Sequence, residues 1–231
     1  MFPLKDDIPS SRMPVFTVLL IVLNAVVFFW EKLNVAGFEA TIWKWGLVPY
    51  EFTHQVELTP GMDVPPFSNV FSSMFMHGGF FHLAGNMLYL WIFGDNVEDQ
   101  LGHVRFLLFY LLSGVAAALS FTYLFPNSKV PLVGASGAIA GVLGGYLLRF
   151  PRARVYTLIF LGFFVQVVRI PALIVLGLWF VIQLLNAGAS FTVAATSGTA
   201  WFAHVGGFVA GFLLFPLLGG MKRRAVHYDN R

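Results

Sequence analysis

Apolar residues in this chain come in long runs rather than in narrow stripes. Runs at about 15–30, 80–94, 105–125, 133–150, 171–187 and 200–218 are broken off by polar or turn-forming groups such as Glu31-Lys32, Asp95-Asn96 and Pro126-Asn127. About 20 such residues in a helix cross a hydrocarbon core of roughly 30 Å. The pattern predicts an all-α membrane protein, a bundle of six transmembrane helices in a single membrane domain over residues 1–231. The first run ends in Phe28-Phe29-Trp30-Glu31-Lys32 rather than at a small-residue cleavage site, so it reads as a retained helix.

Two stretches do not fit the template. Residues 33–76 scatter Trp43, Trp45, Tyr50 and several prolines among polar groups, the pattern of a long outer loop with interface-seeking aromatic pieces. Residues 155–168 are apolar but number only 14, short for a span, and read as a connector lying at the membrane surface.

Composition supports the membrane reading. Apolar residues make up 58% of the chain, charged residues 11%, and mean hydropathy is +0.76, outside the range of soluble domains. There is no cysteine, which excludes disulfides, zinc-thiolate sites and cysteine nucleophiles. A pI near 9.3 does not call for nucleic acid, because the basic residues sort by topology. With six spans, 11 of the 14 Lys and Arg residues fall on one face and only Lys32, Lys44 and Lys129 on the other. Positive charge stays inside, so both termini are expected in the cytoplasm. The setting expected is a bacterial-type cytoplasmic membrane, with the lipid bilayer as the surrounding partner.

Polar side chains inside spans are costly and mark packing or function. With six spans, the second, fourth and sixth all run inward from the outer face. His82 and Asn86 lie near the start of the second, Ser136 near the start of the fourth and His204 near the start of the sixth. At about 1.5 Å per residue, each falls within roughly 5–15 Å of the outer end of its helix. His82 and Asn86, four apart, share one helical face. Gly137, Gly141 and Gly145 on the fourth span, and Gly207 and Gly211 on the sixth, form small-residue stripes that let two helices approach closely. Close approach there brings Ser136 and His204 within hydrogen-bond reach, a nucleophile beside its general base. Asn86, His82 and the Ser136 amide are candidate oxyanion donors. No third member is evident, since Asp95, Glu98 and Asp99 lie on the order of 20 Å along the axis from His82. The chemistry expected is a Ser-His dyad that needs no cofactor and no metal.

The segments Gly134-Ala135-Ser136-Gly137, Ala203-His204-Val205-Gly206-Gly207-Phe208 and His82-Leu83-Ala84-Gly85-Asn86 resemble those of the rhomboid intramembrane serine proteases. The lead-in Met76-His77-Gly78-Gly79-Phe80-Phe81 and the exit Gly94-Asp95-Asn96-Val97-Glu98-Asp99 are also similar to family members. The resemblance runs over about residues 15–220. It implies a six-helix rhomboid-like core, a water-accessible dyad below the outer surface, and cleavage of single-span transmembrane protein substrates near the outer ends of their helices. Some rhomboids carry an aromatic residue four after the serine, packed on the histidine ring. Ala140 stands there in this chain, which leaves the His204 ring to be supported by another residue. Trp43-Lys44-Trp45 is the nearest counterpart of a Trp-Arg pair in the family's first loop, and no role is carried over to it.

Other polar residues have plainer readings. Gln183, Asn186 and Asn24 read as helix-packing or end-capping groups. Asp95, Glu98 and Asp99 read as caps of the cytoplasmic turn, and His54, His77, His103 and His227 as loop, interface or tail residues. No histidine is followed by glutamate as a zinc protease of the H-E-x-x-H type requires, and no pair of aspartates lies within the spans. The alternatives to a protease are a non-catalytic rhomboid-like protein that binds or escorts transmembrane helices, and a transporter. Substrate access is expected through mobility of the fifth helix and of the Gly/Ser/Thr-rich stretch 189–199.

Overall fold

A computed structural model describes residues 2–58, 64–161, 164–189 and 201–221. Six long helices follow the six apolar runs: α1 (Val15–Leu33), α5 (Phe80–Leu101), α6 (His103–Leu124), α7 (Ser136–Arg149), α8 (Ala172–Ala189) and α9 (Trp201–Leu217). The segment between α1 and α5 folds into three short helices, α2 (Phe38–Trp45), α3 (Pro49–His54) and α4 (Pro66–Ser72). Helices α1, α6 and α8 are long and apolar enough to cross a membrane, and α9 is a shorter apolar helix.

Several helices bury polar side chains among apolar ones and expose large apolar side chains. On α1 the buried stripe is Thr17, Leu20, Asn24, Phe28 and Glu31, whereas Leu19, Val22, Leu23, Val26, Phe29 and Trp30 are exposed. On α8, Gln183 is buried while Leu178, Val181, Ile182, Leu184 and Leu185 are exposed. Water would oppose this arrangement and lipid favours it.

Residues 155–168, expected as a connector, lie between α7 and α8 and take strand rather than helical structure. They belong to two strands, β2 (Arg154–Leu161) and β3 (Phe164–Pro171), paired antiparallel, with β1 (Phe2–Asp6) added along the free edge of β2 in the order β1-β2-β3. The chain is therefore mostly helical with a small sheet, not all-α. The physical cause is visible in the alternation on β2, where Val155 and Thr157 are buried while Arg154 is exposed and Tyr156 half-buried. Tyr156 also receives two cations, Lys5 at 4.8 Å and Arg169 at 4.9 Å from its ring centre. An apolar count over 14 residues averages that alternation away.

The acidic cluster closes the end of the bundle opposite Ser136. Helix α5 runs on to Leu101, so Asp95, Glu98 and Asp99 sit on helix rather than in a turn. Helix α1 starts after Pro14, which offers no side-chain cap. Glu98 takes that place from α5, accepting from the Phe16 and Thr17 amides at 2.9 and 2.8 Å and from the Thr17 hydroxyl at 2.8 Å. His103, across the corner made by Gly102, is 2.5 Å from the same carboxylate, and Gly102 has φ +78°, where a side chain would be strained. Ser10 donates to Asp95 at 2.6 Å and Ser11 to Asp99 at 2.8 Å, tying down the N-terminal segment. Asp6 accepts from the Tyr146 hydroxyl, and burial pushes its carboxyl up to about 7.

Helix α7 is the axis of the fold. Residues 137–146 are buried without interruption, and its 14 residues span only about 21 Å. Backbone touches backbone where it crosses α9. A Cβ on Gly207 would lie 2.0 Å from the Gly137 carbonyl oxygen, and one on Gly211 the same distance from that of Gly141. The expected glycine stripe holds for Gly137 and Gly141 but not for Gly145, which faces the Phe215 and Phe109 rings. Gly144 meets the α9 backbone instead, with a hypothetical Cβ 2.3 Å from the Phe208 carbonyl oxygen.

Candidate active site

Ser136 is the first residue of α7, placed there by a sharp bend at Gly134. Gly134 has φ +124°, and a Cβ on it would lie 2.8 Å from the His82 ring atoms Cε1 and Nε2. Only glycine satisfies both demands. Its amide donates to the Ser73 carbonyl at 2.9 Å, which anchors the bend to the segment after α4.

The glycine contact between α7 and α9 sets the next distance. His204, in the first turn of α9, has Nε2 2.9 Å from Ser136 Oγ. Its other nitrogen, Nδ1, is 2.7 Å from Oε1 of Gln183 on α8. Two tryptophans flank the imidazole: Trp179, one turn before Gln183, lies 6.0 Å away at 35°, and Trp201 presents an edge at 6.1 Å and 87°. These rings and Gln183 surround His204 where Ala140, itself fully buried, offers no aromatic face.

Ser136, His204, His82 and Asn86 line one cavity of about 490 Å³, together with Tyr89, Trp179 and Trp201. The volume is that of an ordinary small-ligand pocket. Asn86 is only 8% exposed, and its Nδ2 makes no hydrogen bond. A buried donor without a partner is rare enough to need a reason. His82 packs edge-on against His77 with ring centres 5.2 Å apart. His77 is fully buried, its amide donating to Glu31 at 3.1 Å and its Nδ1 3.2 Å from the Phe75 carbonyl oxygen. Burial, reinforced by neighbouring His82, drives the His77 imidazole down to about 4, so it is neutral at physiological pH. Among the described residues no group of three or more His, Cys, Asp or Glu side chains is placed to hold a metal ion.

A family model described as the rhomboid domain matches residues 66–220, a stretch that includes every residue lining this cavity. The chain belongs to the rhomboid family. It is 31% identical over 217 residues to Rhomboid protease GluP of Bacillus subtilis, a match covering 92% of this chain and 36% of that protein. It is 36% identical over 148 residues to RHOMBOID-like protein 4 of Arabidopsis thaliana, covering 64% and 33% of the two chains. Over 97 residues it is 37% identical to Rhomboid protein 1, mitochondrial, of Saccharomyces cerevisiae, covering 40% and 28%. The chain spans about a third of the length of these curated relatives.

Within this rhomboid domain, Gln183 is the residue that sequence reasoning placed elsewhere, as a helix-packing group. A signal for it existed. Helix α8 runs opposite to α7 and α9, so its C-terminal half, with Gln183, lies toward the same end of the bundle as Ser136. Gln183 does not stand near the start of its helix, as Ser136, His204, His82 and Asn86 do. Asn24 does behave as a packing residue, its Nδ2 donating to the Leu20 carbonyl at 2.7 Å. Residues 190–199 of the expected access loop, Ala200, His227 and the basic tail Lys222, Arg223 and Arg224 lie outside the described residues.

Proposed function

We propose that this rhomboid protein is a serine-type endopeptidase that cleaves single-span membrane proteins near the outer membrane face, with Ser136 as nucleophile and His204 as general base. The observation that carries the reading is the 2.9 Å approach of His204 Nε2 to Ser136 Oγ in the wall of an open, partly polar cavity. A nucleophile of this kind is inert without a base at hydrogen-bond distance.

Ser136 Oγ attacks the carbonyl carbon of the scissile peptide as its proton passes to His204 Nε2. The tetrahedral oxyanion receives hydrogen bonds from Asn86 Nδ2, from His82 and from the backbone amide at the α7 N-terminus. His204 returns the proton to the leaving amine, which departs and leaves an acyl-enzyme. Water, deprotonated by the same nitrogen, then releases the second product and restores the serine hydroxyl.

The membrane setting of this reading has six crossing helices, both termini in the cytoplasm and the cavity open to the outer face, with residues 1–231 forming one domain. The shortness of α7 supports it. At about 21 Å it falls short of a hydrocarbon core of roughly 30 Å, so a helix anchored at the inner face by Arg149 ends below the outer surface. Ser136 then lies inside the membrane yet within reach of water from the cavity.

Purified protein incubated in detergent with a single-span model substrate tests the reading. Wild-type protein should cleave, and Ser136→Ala and His204→Ala should each lose at least about a thousandfold in rate. Equal cleavage by the variants contradicts the dyad. Absence of cleavage by every form favours a non-catalytic rhomboid-like protein.

A further inference from the structure

We propose that Gln183 is a positioning residue that holds His204 in the tautomer whose Nε2 is free to take the proton of Ser136. The inference rests on the protease reading above and adds to the pair a third, uncharged member on a third helix.

The tautomer of His204 follows from which neighbouring atoms can only accept. Gln183 Nε2 lies 3.4 Å from the Trp179 carbonyl oxygen one turn earlier on α8. A carbonyl cannot donate, so the amide end facing it is the NH₂ end. The carbonyl end, Oε1, then faces His204 Nδ1 at 2.7 Å. That oxygen cannot donate either, so Nδ1 carries the proton. A neutral imidazole has a single N–H. Nε2 is therefore a bare acceptor, 2.9 Å from Ser136 Oγ, and the hydroxyl proton points along the path it takes in catalysis. A backbone carbonyl on α8 thus sets the direction of a chain of three hydrogen bonds that ends on the nucleophile.

The choice of an amide has a physical reason. Gln183 is 5% exposed, on a helix whose neighbouring side chains face lipid. A carboxylate at that position would carry a large desolvation cost. Glutamine supplies the acceptor without the charge. When His204 takes the serine proton, its Nδ1–H remains bonded to Oε1, and the bond becomes charge-assisted, stronger in the transition state than in the resting state. Trp179 and Gln183 are four residues apart on one face of α8, so the helix delivers both ring contact and hydrogen bond to His204.

The test has two arms. In ¹⁵N-histidine-labelled Ser136→Ala protein, where the serine no longer biases the ring, the imidazole nitrogen shifts of His204 should report the Nδ1–H tautomer. Adding Gln183→Leu should move the proton to Nε2. An Nε2–H ring with Gln183 present, or a ring unchanged by Gln183→Leu, overturns the proposal. In the kinetic arm, Gln183→Leu should lower kcat about ten- to a hundredfold with KM unchanged, the loss of one transition-state hydrogen bond. Full activity in Gln183→Leu overturns it. The nuclear shifts do not depend on proteolysis. Wild-type protein that cleaves nothing therefore counts against the protease reading, and the tautomer measurement decides the role of Gln183 separately.

Discussion

Asn86 lines the cavity that holds Ser136 and His204, and its buried NH₂ group makes no hydrogen bond. Leaving such a donor unmade costs about 1–3 kcal/mol in the resting fold, an expense that is recovered only if the donor finds an acceptor in another state. An oxyanion formed on a peptide carbonyl is such an acceptor. Asn86→Ala should therefore lower kcat by about 10²–10³ with little change in KM, measured by steady-state cleavage of a single-span substrate. An increase in KM alone would instead make Asn86 a ground-state binding group. The four side chains that share this cavity could be read from the chain because each is polar where lipid should be, and alternating topology put them at one depth. Gln183 could not be singled out in the same way. Its neighbours Asn186 and, on α1, Asn24 are equally polar in apolar helices, and only the folded contact with His204 distinguishes them.

The α7–α9 crossing determines whether Ser136 and His204 meet at all. Gly207 has no room for a side chain, because the Gly137 carbonyl oxygen occupies the place of its Cβ at 2.0 Å. Gly207→Leu should push the two helices apart, lengthen the gap between Ser136 and His204 and abolish cleavage, while lowering the thermal midpoint by several degrees. A variant with wild-type activity would show that the crossing does not set the dyad distance. The long helices and this glycine seam are legible in sequence, since apolar runs and four-residue spacing are strong periodic signals. The β2–β3 hairpin is not. Its residues are as apolar as a span, and its partner β1 comes from the far N-terminus, a pairing no local pattern announces. The continuation of α5 to Leu101 is hidden for a related reason: a charged end reads as a loop, yet Glu98 is 1% exposed and bonded to the first turn of α1.

The molecule as a whole buries Thr17, Asn24, Glu31 and Gln183 beside an apolar core and exposes many leucine, valine and phenylalanine side chains. That apolar exterior and the family assignment make it an integral membrane protein. The sidedness proposed here can be mapped simply, because the natural chain has no cysteine. In intact cells, a membrane-impermeant maleimide should label Lys129→Cys, in the exposed turn after α6, and should reach Arg12→Cys, exposed before α1, only after permeabilisation. The reverse pattern would place the cavity mouth in the cytoplasm. The claim on which everything else depends is that Ser136 is a nucleophile activated by His204. Mass spectrometry of detergent-solubilised protein after reaction with a fluorophosphonate measures it directly. The account predicts one covalent adduct, on Ser136, in the wild type and none in His204→Ala; a wild-type protein that cleaves substrate with Ser136 unmodified, or equal modification of Ser136 without His204, would contradict it.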